Sequence, residues 1–368
     1  MNVRQSQLTL AGNQINPPPD PPPDPPPLPT TRYQGSKSKI VKWIWENIKN
    51  IEFETVLDAF GGTGIVGYFL KNKGKQVFYN DLLKFNYYIG TALIENDAVR
   101  LSEAETDFLL QPHPDIDYPS FIQDTFADVY YTDAENRWLD MVVQNIENLD
   151  GFYKRTLAYY ALFQACIIKR PYNLFHRKNL YIRTSNVKRS FGNKAAWDRP
   201  FEEHFLNFVN EANRCVFSNR KRNKALNLNA FNLEGDFDLV YIDTPYISKD
   251  GVGVDYLEFY HFLEGIVNYP RWKGMIDYRS KHRRIKLKNK KSIWCDKSKI
   301  RTAFDEIFKK FQGATIVVSY RSDGIPSVEK LIKLLEKYKN TVKWVRYGDY
   351  KYVLSNNCSA ECLLIGVG

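Results

Sequence analysis

Cysteine is sparse in this 368-residue chain, and the five present (Cys166, Cys215, Cys295, Cys358 and Cys362) form no CxxC pair. The last two stand four apart, but no second cluster completes a zinc set and no histidine lies at ligand spacing. Disulfide scaffolds and zinc ribbons are thereby excluded, and the expectation is reduced thiols and no metal. Long apolar runs are also missing, so no segment reaches the length of a membrane span. The N-terminus carries polar and proline residues where a secretory signal needs an apolar stretch, which points to a cytoplasmic protein without membrane contact. No internal repeat stands out.

What is present is basic and aromatic. A formal charge of +10 favours a polyanionic partner without fixing a fold. Aromatic residues, 15% of the chain, supply core mass and flat faces on which a base can stack. The length allows one large or two modest domains.

Residues 1–30 are expected to be a disordered tail, because the proline-rich units between Pro17 and Pro29 favour extended polyproline backbone. Residues 38–49 predict a helix with Ile40, Trp43, Ile44 and Ile48 on one face. A short apolar strand at 55–60 runs into a glycine turn, a helical stretch at 65–72 follows, and a second strand at 76–80 ends in Asp81. Strand, glycine turn, helix, strand and acid in that order make a βαβ nucleotide-binding unit. Later strands are expected at 238–242, 314–319, 341–346 and 361–367, with helices near 256–266, 299–311 and 327–338. The pattern is α/β: a mostly parallel sheet with helices on both faces. Residues 96–232 read as a mostly helical insertion, clearest at 152–168, between the sheet-forming parts 31–95 and 233–368.

The turn Asp58-Ala59-Phe60-Gly61-Gly62-Thr63-Gly64 leaves a strand for a helix. Glycines there permit positive φ and close approach of a ligand, and helix N-terminal amides favour negative charge. The spacing is not GxxxxGK[ST], so no lysine awaits a triphosphate. Phe60 suits packing against an adenosine and its thioether arm, Asp81 is placed for ribose hydroxyls, and Asp58 suits an ammonium. S-adenosylmethionine fits this set better than NAD or ATP. The bland alternative is a turn that only packs helix on strand.

Asp243-Thr244-Pro245-Tyr246 ends the buried-strand run from Phe237 to Ile242. It brings a carboxylate, a constrained carbonyl and an aromatic ring to a strand mouth, three groups able to hold a planar base by its amino group and its face. Four such residues also occur in ordinary turns.

Together, Arg32-Tyr33-Gln34-Gly35-Ser36-Lys37, Asp58–Gly64, Asn80-Asp81 and Asp243–Tyr246 resemble, in this order, the motifs of the D12-class adenine-specific DNA methyltransferases. The resemblance spans about residues 31–366 and implies a Rossmann-like methyltransferase sheet in the family's α arrangement. It assigns Tyr33, Gly35 and Lys37 to the methionine end of the cofactor. Asp58, Phe60, Gly61, Gly62, Thr63 and Gly64 match the glycine motif, and Asp81 the ribose-binding acid. Asn229 and Phe231 stand in the segment that holds the cofactor adenine, with Asn229 where the family usually has an acid. Thr244 replaces a more frequent proline, and its carbonyl still serves. The implied reaction has Asp243 and the Thr244 carbonyl accept the hydrogens of an adenine amino group, while Pro245 fixes the loop and Tyr246 stacks on a flipped-out base.

In the insertion, the run from Lys169 to Asn179 mixes phosphate-binding and base-reading side chains. Arg170, Asn173, His176, Arg177, Lys178, Asn179 and nearby Arg183 are the expected contacts to double-stranded DNA, with a solvated charged loop as the alternative. A second basic stretch at 270–299 adds Arg283 and Arg284 around Trp294. The segment Asp255–Gly265, with Tyr256, Phe259, Tyr260 and His261, is expected to pack beside the base pocket, with core packing as the role of most of its aromatics. A cognate restriction endonuclease is the partner such an enzyme often has. RNA adenine, a protein glutamine, or a catalytically silent DNA-binding subunit remain as alternatives, because the tetrapeptide suits any planar amide or amino group.

Overall fold

Four short runs of β-branched and aromatic residues meet at the centre of the molecule because they are apolar on both faces. They are Thr55–Asp58 (β1), Gln76–Asn80 (β2), Leu239–Ile242 (β4) and Thr315–Arg321 (β6), and the last two are buried almost end to end. A computed structural model describes residues 26–30, 32–187, 193–286, 292–350 and 359–368. Most of the proline-rich tail, part of the second basic stretch and Cys358 lie outside the described residues.

The sheet has seven strands in the order β3-β2-β1-β4-β6-β9-β8, where β3 is Lys224–Leu226, β8 Thr341–Tyr350 and β9 Ser359–Val367. β3, β2, β1, β4 and β6 are parallel; β9 and β8 close one edge antiparallel. β1 lies between β2 and β4, so the chain leaves it in one direction and returns on its other side. The crevice at the carboxyl ends of those strands is the topological switch point, where open α/β sheets bind ligands.

Alternation along the strands feeds two cores. Val56, Val77, Leu239 and Val317 face one layer with Ile44, Ile65 and Leu93, while Leu57, Val240, Ile242 and Ile316 face Phe304, Ile307, Phe308 and Leu331. The first layer includes α1 (Val41–Ile48) and α2 (Ile65–Asn72); the second is built by α8 (Ile300–Lys310) and α9 (Val328–Leu335) once the intervening helices are counted. Those are α3 (Lys84–Gly90), α4 (Asp133–Glu147), α5 (Phe152–Ile168), α6 (Phe201–Cys215) and α7 (Tyr256–Ile266). The first core runs without a break from the sheet through Phe126, Leu139, Phe163 and Phe205, so the helical span shares the sheet's interior.

Three elements differ from the sequence expectation. β3 lies inside the span read as insertion yet pairs with β2, so the sheet resumes before residue 233. It has one buried apolar residue, Ala225, and owes its place to backbone pairing that leaves no hydrophobic pattern. A small antiparallel pair, Ile247–Ser248 (β5) with Gly324–Ile325 (β7), ties the chain after the tetrapeptide to the end of β6. No helix among the described residues is long and apolar enough to cross a membrane.

Candidate active site

The switch-point crevice opens into a cavity of about 810 Å³, within the range of small-molecule sites. Its wall brings together Gly35, Lys37, Asp58, Phe60, Asp81 and Asp243, residues spread over two hundred positions of sequence.

The glycine turn is fixed by its own amides. Gly61 N–H donates to the Asn80 carbonyl at 2.8 Å, and Gly64, in the left-handed region at φ 72°, donates to Gly61 and starts α2. Gly61 needs to be glycine for Tyr79: a Cβ there would lie 2.0 Å from that ring. Asp81 holds the turn from the other side, accepting from Gly62 N–H at 2.9 Å and from Leu83 N–H at 2.8 Å. Its carboxylate thus organises both loops, and burial pushes its pKa up to about 6.

Asp58 is 1% exposed. One of its oxygens accepts from Gly67 N–H at 3.2 Å, and the other is buried with no hydrogen-bond partner. Burial, and then the nearby Asp243 charge, push its pKa up to about 8. The side-chain oxygens of Gln34 and Asn86, also on the cavity wall, are buried without partners as well. Groups in this condition are costly unless something polar meets them.

Aromatic rings close both ends. Tyr33 is sandwiched between Tyr260, at 4.2 Å between centroids, and Tyr256, at 5.3 Å. The Tyr260 hydroxyl accepts from Gln34 N–H at 2.8 Å, so the sandwich also holds the segment that carries Gly35. At the opposite end Trp294 meets Phe60 edge-on at 5.1 Å and lies parallel to Phe231 at 5.6 Å. Asn229 caps the short turn carrying Phe231, its carboxamide oxygen accepting from Phe231 N–H at 3.2 Å.

Asp243 and Pro245 reach the cavity. The Lys37 ammonium lies 3.1 Å from Asp243 and 2.9 Å from Glu361, so Lys37, which also lines the cavity, couples two carboxylates. Burial raises the Asp243 pKa to about 7, opposed by Lys37. Thr244 is buried with its hydroxyl unpartnered. Tyr246, expected to offer an open face, is 5% exposed, and the Arg321 guanidinium sits 4.9 Å from its ring centre. Arg321 is itself held by Asp323 through two hydrogen bonds of 2.6 and 2.8 Å.

With that geometry in view, the comparison with known proteins is decisive. The D12 class N6 adenine-specific DNA methyltransferases match the chain over residues 33–318. The chain belongs to this family. It is accordingly an adenine-specific DNA methyltransferase by family, similar to the Type II methyltransferase M2.HphI of Haemophilus parahaemolyticus at 29% identity, over 84% of this chain and 88% of that protein. Modification methylase StsI of Streptococcus sanguinis is 27% identical over 83% of this chain and 46% of its own length. Type II methyltransferase M.NlaIII of Neisseria lactamica is 24% identical over 83% of this chain and 88% of itself.

The residues expected to meet DNA divide into two sets. Arg170 is 1% exposed and turned inward: it donates to the carbonyls of Leu174, Tyr130 and Arg177 and to the Asn179 side chain, with its guanidinium over the Tyr130 ring. Arg183 pairs with both oxygens of Glu135 and donates to the carbonyls of Tyr130 and Trp197. Arg170, Asn179 and Arg183 are therefore internal braces, because a charge in this aromatic core needs polar partners. Arg177 and Lys178 are exposed, and Asn173 and His176 are half-buried. Arg283 and Arg284 are half-buried too; Arg284 faces Asp277 at 3.6 Å and Glu258 at 3.9 Å. Tyr172, which the sequence reading passed over, is 47% exposed in a left-handed backbone conformation at φ 62°.

Trp294, Arg321 and Glu361 were also missed as site residues. For Glu361 a signal existed, since it is the one charge within Ser359–Val367, an otherwise uncharged strand. Trp294 was read as part of a basic DNA-facing stretch, where it is 6% exposed and packs on the cavity aromatics.

Proposed function

We propose that this chain methylates the N6 amino group of adenine in double-stranded DNA with S-adenosylmethionine as donor. The observation that carries the reading is that Asp58 and Asp243 open on one cavity beside the glycine turn. The unpartnered oxygens of Asp58, Gln34 and Asn86 fit the donor groups of an amino acid and a nucleoside. Asp58 would hold the ammonium, Asp81 the ribose, and the Phe60, Phe231 and Trp294 rings the adenine, with Asn229 at that end and Tyr33 and Gly35 at the methionine end. Bound there, S-adenosylmethionine supplies an electrophilic methyl group.

The lone pair of an adenine amino group is delocalised into its ring. The Asp243 carboxylate and the Thr244 carbonyl accept the two amino hydrogens, which draws the nitrogen toward a tetrahedral form with an available lone pair. Positioning of this kind is worth roughly 7–11 kcal/mol in favourable cases. Pro245 keeps the carbonyl in place. A base in duplex cannot reach the cavity, so the adenine is flipped out at a cost of about a few kcal/mol. For Tyr246 to stack on it, the ring has to leave its buried position beneath Arg321.

Arg177, Lys178, Asn173, His176 and the second basic stretch with Arg283 and Arg284 are the DNA-facing groups in this reading, and the helical span before β3 carries target recognition. A cytoplasmic restriction–modification role beside a partner endonuclease belongs to this reading, and the Type II methyltransferases to which the chain is similar support its modification part. Labelled methyl from S-adenosylmethionine should enter duplex DNA as N6-methyladenine, and Asp243→Ala should abolish it while the protein stays folded. Methyl recovered only in RNA, or only on cytosine, would refute the substrate.

A further inference from the structure

Glu361 sits within β9 and is 1% exposed, a position in which a carboxyl group needs polar partners from the protein. The Ser319 hydroxyl on β6 donates to it at 2.6 Å, and the Lys37 ammonium lies 2.9 Å away. That same ammonium is 3.1 Å from Asp243. One buried cation therefore stands between a buried carboxylate, Glu361, and a half-buried one, Asp243, brought together from the segment before α1, the end of β4 and the start of β9.

A lysine with a single acidic partner in a dry site neutralises that partner and occupies its lone pairs. A second carboxylate competes for the ammonium and leaves the first only partly compensated. We propose that Glu361 is a positioning residue for methyl transfer: by holding Lys37 from behind, it keeps the Asp243 carboxylate available to accept an amino hydrogen of the base. The assignment rests on the reading of Asp243 as base acceptor. Glu361 acts through Lys37 and touches neither base nor donor.

The charged and titratable groups facing Asp243 are Lys37, Glu361, Asp58 and the hydroxyls of Tyr241, Tyr246 and Tyr256. Among them Lys37 favours the charged carboxylate and Glu361 opposes it. Removing Glu361 or removing Lys37 should then move Asp243 in opposite directions, which a general loosening of the site would not do.

The test is a titration by NMR of protein carrying carbon-13 at its aspartate carboxyls, with the Asp243 signal identified by its loss in Asp243→Asn. In Glu361→Gln, which preserves an acceptor for Ser319, the Asp243 midpoint should fall by about one unit; in Lys37→Met it should rise by a similar amount. The acid limb of kcat/KM should move to lower pH in Glu361→Gln, with donor affinity by calorimetry unchanged. If the glutamine variant does not fold, Glu361→Asp, which keeps the charge but draws it back from Lys37, should move the Asp243 midpoint in the same downward sense. An Asp243 midpoint unmoved in Glu361→Gln, or displaced in the same sense by Glu361→Gln and Lys37→Met, overturns the proposal. A wild type that transfers no methyl group refutes the functional reading and the positioning role with it, whereas unmoved midpoints in the variants of an active wild type refute the role of Glu361 alone.

Discussion

The Tyr79 hydroxyl donates to the Gly62 carbonyl at 2.7 Å while its ring fills the space where Gly61 has no side chain. A residue of β2 thus shapes the turn that follows β1. Gly61→Ala puts a carbon 2.0 Å from the ring, and both loop and ring have to move. Overpacking of this kind costs about 1–3 kcal/mol. The variant should melt at lower temperature and bind S-adenosylmethionine at least tenfold more weakly. Tyr79→Phe, which removes only the hydroxyl's bonds, should lose roughly 1 kcal/mol of stability per bond while keeping the turn's shape. Thermal melting and calorimetry on the two variants separate shape from bonding.

Asp58 makes donor binding pH-dependent. Its pKa of about 8 in the ligand-free protein means that the carboxyl is largely protonated at neutrality. A cationic ammonium beside it favours the carboxylate, so binding expels a proton. Affinity should rise with pH up to about 8 and level off above, and near neutrality the binding enthalpy should depend on the ionisation enthalpy of the buffer. Asp58→Asn should remove both effects. The same raised pKa means that the ligand-free fold holds this proton more tightly than the unfolded chain does. Stability from this group is therefore full below the ordinary carboxyl range of about 4 and is lost as pH rises toward about 8.

Much of this was legible in sequence because it depends on local rules. The 3.6-residue pattern at 38–49 located Val41–Ile48, and the apolar runs located β1, β2 and β4, since a parallel strand buried on both faces is largely apolar. The motifs located Asp58, Asp81 and Asp243, which meet in one cavity. What sequence could not carry was direction. Arg170 and Arg177 are seven residues apart in one basic run, yet one braces the Tyr130 ring and the other faces solvent. Composition treats them alike; only the path of the backbone through Tyr172 and Asn173, both left-handed, divides them. Glu361 shows the same limit, because its importance lies in a lysine more than three hundred positions away.

The Tyr33 sandwich ties the N-terminal motif to α7. Stacked aromatic pairs contribute about 0.5–1.5 kcal/mol each beyond burial. Tyr33→Leu loses two of them, and the segment bearing Gly35 and Lys37 is left held by the Gln34–Tyr260 bond and the two Lys37 ion pairs. Donor affinity should fall by roughly tenfold, while affinity for DNA measured without donor stays near wild type. Fluorescence titration with each ligand separately distinguishes this from a global defect.

The two kinds of arginine in the insertion give opposite experimental signatures. Arg170→Ala leaves the Leu174 and Arg177 carbonyls and the Asn179 side chain without this donor, while the Tyr130 carbonyl keeps its bond from Arg183. Each buried acceptor left unsatisfied costs about 1–3 kcal/mol. The neutral, oxygen-rich pocket that remains should lower the melting temperature by many degrees. Any loss of DNA binding should then track the fraction unfolded and leave the salt dependence of the folded fraction unchanged. Arg177→Ala and Lys178→Ala remove exposed charges with no such network, so melting should not move. Each should weaken DNA binding uniformly across sequences and reduce the slope of log K against log salt by about one. Measuring melting and salt slope on the same three variants decides the division: a changed slope with unchanged melting in Arg170→Ala would return that residue to the DNA-facing set.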